Sequence, residues 1–131
     1  MTHGLDTSVV MRLLTGDPRD QAELAAGFLK EARAAGDRVL VSEIVLAEAY
    51  FALQAKYRVP KSEALLRLRE LVESGEVEAE IAAEVLQTPS LASAKPGFVD
   101  RLIHAGYGGE GARLVSFEKS AGKLPNARVL A

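Results

Sequence analysis

The feature that most constrains this chain is an alternation. Short apolar runs with the length of a strand recur along it, each followed by a stretch whose apolar residues return with helical period. Leu5 precedes a helix carrying Val9, Val10, Leu13 and Leu14. Val39-Leu40-Val41 precedes one carrying Ile44 to Leu53, and Arg113-Leu114-Val115-Ser116 precedes a short helical segment near Glu118 to Gly122. Strand and helix in turn argue a parallel sheet packed between helices. The expected fold is therefore α/β, a three-layer α/β/α sandwich with a mostly parallel central sheet. The expected unit is one domain over residues 1–131, an ordinary domain length with no internal repeat.

Local signals place the remaining elements. Asp17-Pro18 reads as a helix start, Asp17 capping and Pro18 in the first helical position, with the helix stopping at Gly36. Ser42 reads as the cap of the helix carrying Ile44, Leu46, Tyr50, Phe51 and Leu53, expected to be among the most buried. That helix breaks before Val59-Pro60. Lys61 to Ser74 is a further helix, ended by Gly75. Val77 to Ile81 alternates apolar and acidic residues and predicts a half-exposed strand, with a turn or two of helix over Ala82 to Gln87. Thr88 to Gly97 reads as a loop, and Phe98 to Gly106 as a helix with Val99, Leu102 and Ile103 inward. Gly106, Gly108, Gly109 and Gly111 read as a flexible turn, and Asn126 to Leu130 as a closing edge strand.

Composition enters by what it excludes. With no cysteine there is no disulfide or thiolate chemistry, which fits a reducing compartment. No run approaches a membrane span and no secretory leader is legible, so a cytoplasmic protein is expected. Net charge is -2, which does not favour a broad basic nucleic-acid surface, although an acidic site that binds cations reverses its local sign. Aromatic residues are few and tryptophan is absent, so no extended stacking platform is expected.

Four acidic residues stand among apolar neighbours at junctions or on core-forming helices: Asp6, Glu48, Asp100 and Glu118. Asp6 and Glu118 each follow a strand, and ligands of open parallel sheets bind at the edge where strands end. Glu48 and Asp100 are able to reach that edge from packed helices. Carboxylates gathered there repel one another, and a divalent cation removes that cost. Each also has a plainer reading: Asp6 as a helix cap, Glu48 in an ion pair, Asp100 paired with Arg12 or Arg101, Glu118 as a solvated residue. Glu43, in the first turn of its helix, reads as structural. His3 and His104 lack partners at metal-ligand spacing and read as surface residues.

The motifs resemble those of PIN-domain ribonucleases, specifically the VapC-type toxins of toxin–antitoxin pairs. Leu5 to Asp17 is similar to the family's opening block, Ser42 to Glu48 to its second, Phe98 to Ile103 to its third and Val115 to Lys119 to its fourth. The resemblance implies a Mg2+-dependent endoribonuclease, with Mn2+ as an alternative ion, and Asp6, Glu48, Asp100 and Glu118 as metal-site residues. Thr7 and Ser116 are supporting residues, and Arg12, Arg101 and Lys119 are contacts for RNA or antitoxin. It further implies an RNA substrate, a VapB-type antitoxin and a homodimer formed through the helices between Ser42 and Ser74. Two departures stand out. Glu118 occupies a place usually held by aspartate, and Gly97-Phe98 lacks a further acidic residue common there. A weakened PIN-like domain acting as a binding module is the competing reading. An aspartyl-nucleophile phosphatase would need a second aspartate where this chain has Ser8. The phosphate-loop lysine motif is absent.

Overall fold

The computed structural model of the protein describes residues 1–130. Ala131, the last residue of the expected domain, lies outside them. The chain runs β1 (Thr2–Leu5), α1 (Thr7–Thr15), α2 (Arg19–Ala34), β2 (Arg38–Val41), α3 (Glu43–Ala55), α4 (Lys61–Glu73) and α5 (Glu80–Leu86). It continues with α6 (Phe98–Gly109), β3 (Leu114–Ser116) and β4 (Ala127–Val129), and has 3-10 turns at Leu91–Ser93 and Lys119–Lys123. This is the expected α/β architecture, a small parallel sheet flanked by helices. The strands come as two parallel pairs, β1 with β2 and β3 with β4.

Capping chemistry fixes where the elements begin and end. Asp6 is the N-cap of α1, its carboxylate accepting from the Val9 amide, and Gly16 at φ 70° closes that helix. Ser42 caps α3 by accepting from the Val45 amide. After α2, the Gly36 amide donates to the Arg33 carbonyl and the Asp37 amide to the Ala32 carbonyl, a Schellman ending at a glycine with φ +73°. The main core joins the inner faces of α1 to α6 to the first strand pair, with Val10, Leu46, Leu53, Leu68 and Phe98 at its centre. A second, much smaller core holds Leu114, Ala121 and Leu124 beneath β3 and β4.

Five local expectations are corrected. Residues 77–81 do not form a strand. Glu78 alone bridges to Leu40, through backbone bonds to Val39 and Val41, and Glu80 already begins α5. The first residue of α2 is Arg19, with Pro18 in the extended conformation of an N-cap and no side-chain cap from Asp17. Gly106, Gly108 and Gly109 continue α6. The turn comes later, where Ala112 donates to the Tyr107 carbonyl and Gly111 to Gly108, again a Schellman ending. Ile103 faces out, because α6 buries only the stripe through Phe98 and Leu102. Helix α3 buries Leu46, Ala49, Tyr50 and Leu53 but exposes Ile44 and Phe51.

His3 is not a surface residue. It is half-buried, Nε2 lies 2.9 Å from Asp37 Oδ2, and its ring meets Phe28 edge-on. Its partner comes from the Schellman turn after α2, a long-range contact invisible in local spacing. His104 Nε2 lies 2.6 Å from the Pro125 carbonyl and ties α6 to the turn before β4.

Candidate functional site

The junction of β1 and α1 is a product of two opposed preferences. Leu5 is buried on the strand, Val10 and Met11 are buried on the helix, and Asp6 is left exposed between them. Its Oδ1 accepts from Ser8 Oγ at 2.6 Å and from the Val9 amide at 3.2 Å. The Ser8 hydroxyl most of all, then the Val9 amide, with the Arg12 guanidinium adding a little, hold the Asp6 carboxyl below the ordinary aspartate range. Among the described residues these bonds fall on one oxygen, leaving Oδ2 without a hydrogen-bond partner. The cap and the ligand readings of Asp6 are therefore compatible in one side chain.

Thr7, the first residue of α1, donates its Oγ1 to Glu48 Oε1 at 2.9 Å. Glu48 rides on α3 between the buried Leu46 and Ala49 and is itself exposed. No lysine or arginine pairs with it among the described residues; the threonine hydroxyl orients it instead. Beside Asp6 opens a cleft of about 810 Å3, lined by Leu5, Val41, Ser42, Glu43 and Ala79 among others. Glu43, expected to be structural, is in the first turn of α3 and also lines this cleft. Its signal was the parallel pairing itself. With Leu5 opposite Val41, Asp6 and Ser42 leave the strand pair together, and Glu43 follows as the first residue of α3.

Asp100 and Glu118 lie elsewhere. Both line a separate cleft of about 240 Å3, with Ile103, Tyr107 and Ser116. Ser116 Oγ accepts from the Glu118 amide at 3.0 Å and fixes the chain as it leaves β3. Asp100 pairs with neither of its anticipated arginines: Arg101 Nε donates to the Pro96 carbonyl at 2.7 Å, and Arg12 Nε to Gln21 at 2.8 Å. Lys119 is exposed beside Glu118.

The four carboxylates thus fall into two pairs, and all four are exposed. Among the described residues no three histidine, cysteine, aspartate or glutamate side chains gather closely enough to hold a metal ion. The two pairs, Asp6 with Glu48 through Thr7 and Asp100 with Glu118 in one cleft, form two half-sites. An all-protein cage is absent, but Mg2+ is commonly held by one or two carboxylates, with water and substrate phosphate filling the other positions. Hard oxygen donors in pairs fit that mode of binding.

A comparison with protein families adds the decisive observation. The PIN domain profile matches residues 5–126, from the residue before Asp6 to the turn before β4. The chain belongs to the PIN-domain family. Among solved structures, this PIN domain is similar to VapBC2 from Rickettsia felis bound to a DNA fragment from their promoter. Identity is 18%, the TM-score is 0.41, and the match covers 99% of this chain and 98% of that one, a general likeness. No curated protein matches the chain. Among the described residues no helix is long and apolar enough to cross a membrane.

Proposed function

We propose that this PIN domain, a single domain, is a metal-dependent endoribonuclease toxin of VapC type. In this reading it hydrolyses RNA phosphodiester bonds, is held inactive by a VapB-type antitoxin, and works in the cytoplasm. The observation that carries the reading is the hydrogen bond that Thr7, the residue after Asp6, donates to Glu48 at the end of β1, in a chain whose PIN match spans all three residues. Asp6 and Glu48 are the residues to hold Mg2+, or Mn2+, in one half-site, and Asp100 and Glu118 serve the other. When bound, the ion supplies positive charge against the phosphoryl oxygens and lowers the pKa of a water.

The chain's own residues do the rest. Ser8 and the Val9 amide keep Asp6 ionised and fix one of its oxygens. Thr7 ties Glu48 to the start of α1 by one hydrogen bond across the gap between α1 and α3. Ser116 sets the backbone from which Glu118 projects, and its longer side chain offsets a misplacement that the usual aspartate would not. Arg12, Arg101 and Lys119 are cations for RNA backbone or for acidic groups of the antitoxin. Exposed Ile44 and Phe51 on α3 and Leu66 on α4 supply an apolar face for a homodimer.

The test is cleavage of a panel of structured RNAs by purified, antitoxin-free protein. Magnesium-dependent cutting that is lost in D6N and in chelator is expected. Cutting that survives both contradicts the reading. A second reading, a PIN-like module that binds without cutting, is favoured by the absence of a three-carboxylate group among the described residues. Folded protein that binds RNA or a protein partner and cleaves nothing in either metal would establish it.

A further inference from the structure

Charge is distributed unevenly along this chain. Residues 111–130 contain Arg113, Lys119, Lys123 and Arg128 against one acid, Glu118, in a protein whose net charge is -2. All four cations are exposed, and among the described residues none forms a salt bridge. The parallel register sets Val115 beside Arg128, both exposed and on the same face of the strand pair. At the end of that strand stands Phe117, 80% exposed, the most solvent-accessible aromatic ring of the protein among the described residues. It directly precedes Glu118, which lines the cleft with Asp100.

A ring left in water beside unpaired cations is poorly explained by packing. Its own core, Leu114 with Ala121 and Leu124, is already closed beneath it. The combination of an exposed aromatic and free cations is what single-stranded nucleic acid recognises: bases stack on the ring, and phosphates meet the lysines and arginines. An apolar protein partner would gain the ring but face the cost of covering those charges.

We infer that the outer face of β3 and β4 is the RNA-positioning surface, with Phe117 stacking on an unpaired base next to the bond held at the Asp100–Glu118 cleft. Lys119, Lys123 and Arg128 then contact flanking phosphates. The inference rests on the ribonuclease reading and names a positioning residue outside the carboxylate set.

The chain contains no tryptophan, so F117W carries a single indole reporter. In the full-length protein with chelator present, titration of F117W with a short single-stranded oligoribonucleotide should quench that fluorescence, and a fully paired duplex should not. For cleavage, F117A should raise KM about tenfold, the effect of one lost stack, with kcat little changed. F117Y should restore the wild-type value, and F117L, apolar but without a ring, should not. K123Q and R128Q should each weaken binding and flatten its salt dependence. The inference fails if wild type cleaves RNA and F117A does so with unchanged KM, or if F117L rescues fully. It fails also if F117A alters only the oligomeric state, as a protein-facing patch would. Folded protein that neither binds nor cleaves any RNA overturns the ribonuclease reading together with it.

Discussion

The two half-sites carry similar chemistry on unequal foundations. Asp6 and Glu48 project from α1 and α3, whose inner faces join the large core through Val10, Leu46 and Leu53. Asp100 stands on α6, tied to the same core, but Glu118 leaves a strand pair whose own core is three residues. In the first, a carboxylate is held by a cap and a cross-helix hydrogen bond. In the second, a backbone amide is held and the glutamate side chain is free. The comparison teaches that precision at a carboxylate site comes from what lies beneath and beside the acid. Acidic residues alone do not provide it. The first half is held at its side chains, the second at its backbone.

The largest expected effect concerns the foundations. L46A removes a fully buried side chain beneath Glu48 and should cost about 2–5 kcal/mol of global stability by denaturant unfolding. L124A should cost less, and in hydrogen exchange it should loosen β3 and β4 while leaving α1 and α3 protected. Equal global losses from both would remove the distinction between the two regions.

Next comes the double role of Asp6. D6A loses cap and charge, and should lower stability as well as abolish cleavage. D6N keeps a good cap, so it should abolish cleavage at near wild-type stability. If D6N is as unstable as D6A, the carboxylate's role is structural. At the other half, E118A should retain a measurable rate, and E118D should preserve or raise the rate in magnesium.

A smaller effect tests the Thr7 link. T7V removes the hydroxyl that orients Glu48 and should lower cleavage severalfold, with a stability change of about 1 kcal/mol or less. The smallest is a matter of pH. The folded Asp6 pKa lies below its unfolded value, so its contribution is present above the ordinary aspartate pKa and is lost as pH falls through the lowered one. Carboxyl-carbon NMR should place the Asp6 titration below the ordinary range in wild type, and S8A should shift it upward. No shift in S8A would mean that the serine does not hold the charge.

Much of the fold was legible because its signals are local. Apolar period set out the six helices, and Ser42 and Gly36 mark ends that hydrogen bonds later explain. What failed depended on distant partners. Val77 to Ile81 alternates like a strand, but only Glu78 finds a bridge. His3 looked solitary until the turn after α2 brought Asp37 to it. At the site, the four acids were found by their odd company. That Asp6 lines one cleft while Asp100 and Glu118 line another was not, because strand pairing decides which junctions are neighbours, and among the described residues β3 pairs with β4. Glu43 was set aside for the same reason, since the pairing of Leu5 with Val41 brings the starts of α1 and α3 to one cleft.

The most direct test of the unequal halves is a crystal of the antitoxin-free protein soaked in manganese, with anomalous scattering used to place the ion. The account predicts a peak within ligand distance of Asp6 and Glu48 that persists in E118A and vanishes in D6N. A peak confined to Asp100 and Glu118, or one at Asp6 that disappears in E118A, would contradict it.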